Sequence, residues 1–158
     1  MAQDFVGSNN IPLFAREGQF GSRLMNGADA AQARYIFTRL DSITRKIYRE
    51  EDDVLLERVI DDGDIVEPKY YVPIIPMTLV NGSEGIGTGW SSSVPMYNPL
   101  EVIACVREWI NEPPTIQDGV IFSNIPDITP WYRGFKGSIE VEGNGKYTTF
   151  GAINRDDK

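Results

Sequence analysis

Residues 70–90 read Tyr70-Tyr-Val-Pro-Ile-Ile-Pro-Met-Thr-Leu-Val-Asn-Gly-Ser-Glu-Gly-Ile-Gly-Thr-Gly-Trp90. The first half is aromatic and β-branched, which predicts extended chain over Tyr70–Val80. Pro73 and Pro76 lack a backbone donor and keep it off any central ladder position. A turn is predicted at Asn81-Gly82, and the run Gly85-Ile-Gly-Thr-Gly89 follows. Its G-x-G-x-G spacing is not the G-x-G-x-x-G of a dinucleotide fold, and no βαβ unit surrounds it. The glycines flanking Ile86 permit close backbone approach and leave that side chain standing clear. Such a side chain either turns into the core or wedges between the base steps of a duplex. Asn81-Gly82-Ser83 matches a glycosylation sequon, but without a signal peptide it reads as a plain turn.

Toward the C-terminus, Pro99–Ile110 is the best helix, with Pro99 in its first turn. Leu100, Ile103, Ala104 and Ile110 fall on one predicted face, flanked by Cys105, read as core, and Val106. Pro113-Pro114 ends the helix, and 115–133 read as irregular. Trp131, Tyr132 and Phe135 alternate with Arg133 and Lys136. They suit a nucleic-acid stacking surface or, more simply, a core edge with snorkelling bases. Gly134–Val141 and Lys146–Ile153 flank Glu142-Gly-Asn-Gly145 as a hairpin. The chain ends at Asp156-Asp157-Lys158 with that sheet seemingly unfinished.

Toward the N-terminus, Asp62-Gly63 between short apolar runs predicts another hairpin. Asp41–Tyr48 places Ile43, Ile47 and Tyr48 on one helical stripe. Arg34-Tyr-Ile-Phe-Thr-Arg-Leu40 reads as a strand, and Asp29-Ala-Ala-Gln-Ala33 as a short helical turn capped by Asp29. Residues 7–28 are glycine-punctuated loop. Met1-Ala-Gln-Asp-Phe-Val6 reads as the last turns of a helix stopped at Gly7, so a fragment of a larger protein is expected.

Composition narrows the class. Of 158 residues, 41% are hydrophobic and 24% charged, which suits a globular chain and not a disordered tail. One cysteine excludes a disulfide scaffold, and the absence of histidine excludes imidazole catalysis and histidine metal sites within the chain. No apolar run approaches the ~18 residues of a membrane span, and the start is no signal peptide, so a reducing intracellular compartment is expected. The net charge of −8 opposes polyanion binding only if it is evenly spread. It is not: residues 1–50 carry seven basic and five acidic groups, whereas 51–67 carry eight acids against Arg58 alone. Those acids lack the calcium-loop spacing and read as a solvated hairpin.

Arg34-Tyr35 is the reactive candidate. A phenol titrates near 10 and needs its phenolate stabilised, or a base, before it can act as a nucleophile. An adjacent guanidinium can grip a phosphate bidentately and stabilise charge building at phosphorus. Taken alone, the dipeptide is more often a half-buried tyrosine beside a surface arginine. Small residues at Ala30-Ala31-Gln32-Ala33 would let a bulky partner approach. Arg16, Arg23, Asn9, Asn10 and Gln19 in the preceding loop suit phosphate contacts.

Five further stretches complete a pattern with Met1-Ala-Gln-Asp-Phe-Val-Gly-Ser-Asn-Asn-Ile11: Gly18-Gln-Phe-Gly-Ser-Arg23, Ala33-Arg-Tyr-Ile-Phe-Thr38, Tyr71-Val-Pro-Ile-Ile-Pro76, Leu79–Trp90 and Trp131-Tyr-Arg-Gly-Phe-Lys-Gly137 lie in order across nearly the whole chain. In these the chain resembles part of the breakage–reunion core of a type IIA DNA topoisomerase of eukaryotic type. Pro12-Leu-Phe-Ala-Arg16 and Leu24-Met-Asn-Gly-Ala28 depart from the family pattern.

The resemblance implies an α+β fold: residues 1–75 as the C-terminal part of a winged-helix domain carrying the nucleophilic tyrosine, and 76–158 as the first part of a mixed α/β tower. It implies Tyr35 as nucleophile, forming a 5′-phosphotyrosyl bond, and Arg34 as transition-state stabiliser. It implies Ile86 as an intercalating wedge, and Ser8, Asn9, Asn10, Gln19 and Arg23 as DNA contacts. The parent would be an ATP-dependent, double-strand-passing homodimer acting on double-stranded DNA. Its Mg²⁺ and ATP would be bound outside this chain, which alone would be inactive. The parent would be nuclear if cellular and eukaryotic, or in host cytoplasm or virion if viral. A truncated, non-catalytic DNA-binding or scaffold fragment is the alternative.

Overall fold

The computed structural model describes residues 1–117, 120–122, 124–143 and 145–153. The expected unfinished sheet at Asp156–Lys158 and the turn residue Asn144 lie outside the described residues. The secondary structure is mixed and the strands pair antiparallel, in keeping with the α+β class.

Strand β1 (Phe14–Glu17) pairs with β2 (Phe37–Leu40), with Phe14 opposite Leu40 and Glu17 opposite Phe37. The pair closes the long loop between them. Helix α1 (Thr44–Ile47) follows, then a 3₁₀ turn over Glu50–Leu55. The predicted acidic hairpin is present as β3 (Arg58–Asp61) and β4 (Asp64–Pro68). Asp62 and Gly63 both take positive φ, 48° and 92°, the conformation that matches a two-residue turn to the strand twist.

Tyr70–Pro76 forms no ladder, as its prolines require. It does not stay extended to Val80, because Met77–Asn81 forms helix α2. Pro76 precedes the helix, where a missing donor is harmless. Strands β5 (Ser83–Ile86) and β6 (Ser91–Val94) form a hairpin, followed by α3 (Pro99–Asn111). The Asn98 side chain accepts the Leu100 N–H at 3.0 Å and caps α3. The stretch expected to be irregular contains a short pair, β7 (Thr115–Gln117) with β8 (Val120–Phe122). The last predicted hairpin forms as β9 (Ser138–Gly143) and β10 (Lys146–Phe150), with a bulge at Lys146/Tyr147.

Two expectations are corrected here. Met1–Val6 is not helical: the Ser8 hydroxyl donates to the Phe5 carbonyl at 2.6 Å and the Asn9 amide to the Gln3 carbonyl at 2.9 Å. Such side-chain bonds compete directly with a helix. On α3 the buried stripe is rotated from the predicted face. Val102 is 1% exposed, whereas Leu100 is 74% exposed. Pro99, Val102, Ile103 and Val106 recur at i, i+3, i+4 and i+7, and Leu100 stands about 100° away.

The core comprises Ile75, Val80 and Val102, with Ile11, Leu79, Tyr97 and Ile103 packed against it. Asn10 ties the N-terminal segment into this core. It is 3% exposed. Its Nδ2 donates to the carbonyls of Val80, Tyr97 and Trp131 at 2.9–3.1 Å, and its Oδ1 accepts the Arg133 N–H at 2.8 Å. Beside it, Ile11 and Asn81 exchange two bonds of 2.8 Å.

Candidate active site and nucleic-acid interface

Arg34 and Tyr35 are not in a strand, as their side chains had suggested. They occupy a 3₁₀ turn over Ala33–Tyr35, where the Tyr35 N–H donates to the Gln32 carbonyl at 2.9 Å. The small residues of 30–33 allow the tight turn, and β2 begins only at Phe37. The turn lifts the Tyr35 side chain clear of the surface, where it is 65% exposed. The Arg34 guanidinium carbon lies 5.0 Å from the Tyr35 ring centroid. That stacking is a cation–π contact and keeps the positive charge against the phenol.

The loop before this turn is closed at its neck. Asp29 accepts the Ser22 N–H at 2.7 Å and the Gln19 side-chain N–H at 3.1 Å. The Ala31 N–H donates to the Gln19 carbonyl and the Gly27 N–H to the Ser22 carbonyl, both at 2.9 Å. Gly21 is pressed so close to Gly27 that a Cβ on it would stand 2.5 Å from the Gly27 Cα. Asp29 therefore does not cap a helix over 29–33; it staples the loop. Donation from Ser22, and less from Gln19, holds the Asp29 carboxyl below its ordinary value.

The other expected site residues divide. Ser8 and Asn9 sit in the turn after Phe5, half-buried, their side chains bonded to nearby carbonyls. Gln19 is bound to Asp29. Asn10, expected among the DNA contacts, has its amide fully engaged inside the chain. Arg23 is exposed on the stapled loop and forms no ion pair among the described residues. Ile86 closes the β5–β6 hairpin tip and is 90% exposed, with Trp90 beside it at 87%. The Gly87 N–H donates to the Trp90 carbonyl at 2.7 Å and fixes the tip. Ile86 is thus not a core residue. The aromatic segment packs at the core edge instead: Tyr132 and Phe135 meet edge-to-face at 6.3 Å.

Sequence reasoning passes over Asp29 as a staple, Asn10 as a clamp and Trp90 as an exposed neighbour of Ile86. Only Trp90 carries a signal, its place directly after Gly89. Among the described residues, no three His, Cys, Asp or Glu side chains gather as a metal site. No described helix is long and apolar enough to cross a membrane.

Residues 1–158 match the family described as the A-type chain of DNA gyrase/topoisomerase IV. The chain is 51% identical over 155 residues to DNA topoisomerase 2 of Arabidopsis thaliana, covering 96% of this chain and 10% of the relative. It is 45% identical to DNA topoisomerase 2 of Invertebrate iridescent virus 6, covering 99% of this chain and 13% of the relative. Among solved structures, the Plasmodium falciparum topoisomerase II DNA-binding, cleavage and re-ligation domain matches with a TM-score of 0.85 at 47% identity. That match covers 99% of this chain and 20% of the other. The chain spans about a tenth of the length of the curated relatives it matches.

Proposed function

Since this chain belongs to the DNA gyrase/topoisomerase IV family, we propose that it supplies the strand-cutting nucleophile of a double-strand-passing DNA topoisomerase. The observation that carries the reading is the exposed Tyr35 under the Arg34 guanidinium, on a turn held from both sides. The Tyr35 oxygen attacks a backbone phosphorus. The P–O bond to the 3′ oxygen breaks, a 5′-phosphotyrosyl bond forms, and the proton lost by the phenol is balanced by one gained at the freed 3′ hydroxyl. One phosphodiester is exchanged for another, so religation is the same step reversed. Arg34 swings from the ring to the phosphate and stabilises the charge that gathers on its oxygens. Ile86 enters a base step at a bend, and the few kcal/mol of unstacking is offset by wider contact.

In this reading Mg²⁺ and ATP are held by other parts of a longer polypeptide. Mg²⁺ would supply charge neutralisation at the phosphate when bound. The polypeptide works as a homodimer, one Tyr35 per strand. Residues 1–75 serve as the winged-helix part and 76–158 as the start of the tower. The working compartment is the nucleus for a cellular protein, or host cytoplasm or virion for a viral one.

The test uses the full-length polypeptide, supercoiled plasmid and Mg²⁺, quenched with detergent. Protein attached to DNA 5′ ends in wild type and absent in Tyr35→Phe is the expected result. An adduct that persists in Tyr35→Phe removes Tyr35 from the role. DNA binding with no adduct in either protein assigns the chain to a non-catalytic scaffold.

A further inference from the structure

Arg23 and Lys136 come from distant parts of the chain and line one cleft of about 250 Å³. No carboxylate lines it. Neither cation's side chain hydrogen-bonds or pairs with another described residue. By contrast, Arg16, Arg39, Arg45, Arg49 and Lys69 each hold a carboxylate. The cleft between the two cations has a bare backbone floor. A Cβ on Gly137 would overlap the Phe150 carbonyl oxygen and the Phe135 ring, so no side chain fits there. Gly134 takes φ +81°, and a Cβ on it would press to 3.3 Å from Val6. The Tyr132–Phe135 contact holds the segment from which Lys136 projects.

Two unpaired cations facing one recess, with no acid opposite them, make an anion site. We propose that Arg23 and Lys136 together grip a single phosphate of the DNA backbone, away from Tyr35. The grip joins the stapled loop to the segment before β9, so one phosphate bridges both. This rests on the DNA-binding reading above. The ligand is a phosphodiester oxygen pair, bound through charge and without reading bases.

The test measures binding of the full-length polypeptide to a linear duplex across a salt series. Each phosphate neutralised contributes about 0.9 to the slope of log K against log salt. Lys136→Ala and Arg23→Ala are each expected to lower that slope by about one or less. The double variant is expected to lose no more than about one in total, because the two share one phosphate. Lys136→Arg is expected to keep the wild-type slope. A Lys136→Ala slope equal to wild type overturns the proposal, as does a double variant that loses about two. Wild type that binds and cleaves DNA with an unchanged Lys136→Ala slope defeats only the cleft. Wild type that does not bind DNA defeats the underlying reading as well.

Discussion

Asn10 donates its side-chain amide to the Val80 carbonyl, 2.9 Å away and 70 residues along the chain. The same side chain satisfies two more carbonyls and one N–H. Asn10→Ala leaves several buried groups unpaired, each worth roughly 1–3 kcal/mol. A loss of at least about 2 kcal/mol in denaturant unfolding is expected, with little change for Asn9→Ala. Asn10→Asp is expected to lose more, because it turns an acceptor toward three carbonyls.

The packing of α3 gives a paired prediction. Val102→Ala removes buried carbon worth about 0.8 kcal/mol per methylene and leaves a cavity, so a loss of about 2 kcal/mol is expected. Leu100→Ala is expected to change stability by less than about 0.5 kcal/mol, because its side chain faces water. Thermal unfolding of the two variants separates the faces; equal losses would return the buried stripe to Leu100.

Asp29 makes the loop staple sensitive to acid. Its folded-state pKa lies below the ordinary 3.8. A depressed carboxyl stabilises the fold above its unfolded pKa, and that contribution disappears as pH falls through the folded value. The staple is therefore intact at neutral pH and opens only below 3.8. In NMR, the Ser22 amide proton is expected to shift upfield across that acid range. Asp29→Ala is expected to show the opened-loop signal at neutral pH.

Arg34 should govern cleavage more than binding. Arg34→Gln is expected to slow adduct formation about 10²-fold, the usual loss for one transition-state donor. Plasmid affinity should stay within about threefold, since one phosphate contact among many is a small share. Arg34→Lys is expected to recover little, because an ammonium lacks the planar fork. Single-turnover cleavage with saturating protein measures this directly.

Ile86→Ala should leave the fold alone and alter the DNA. With the side chain so exposed, a stability change below about 0.5 kcal/mol is expected. The bend in a doubly labelled duplex, read by energy transfer between its ends, is expected to relax in the variant. A bend equal to wild type would remove Ile86 as a wedge.

The hairpins are legible in the sequence because their turns carry chemistry that acts locally. Asp62-Gly63 and the glycines around residue 144 announce themselves without any tertiary context. Helix α3 is legible for a similar reason, with Pro99 at its start. Its buried face is not, since Leu100 and Val102 are both apolar and only the neighbours decide between them. Asn10 gives no sign, because a clamp is defined by its partners at Val80, Tyr97 and Trp131. Tyr35 and Ile86 are reached through a long ordered resemblance and not from their own neighbours. Their exposure follows from a 3₁₀ turn and a hairpin tip. The strand expected over Arg34–Leu40 is half right, because β-branched composition locates β2 but not the turn that precedes it.

Among the described residues, ten strands form five separate two-stranded ladders, and no strand has two neighbours. An isolated ladder of two strands is only marginally stable in water. Each therefore has its own opening free energy, set by what it leans on and not by a shared sheet. Hydrogen exchange should show a slow kernel around Val80 and Val102 and fast amides at the β5–β6 tip. A duplex seated on that tip would slow its exchange while leaving the kernel unchanged. Independent opening lets the tip conform to a bent surface without loosening the packing that holds the rest of the chain together.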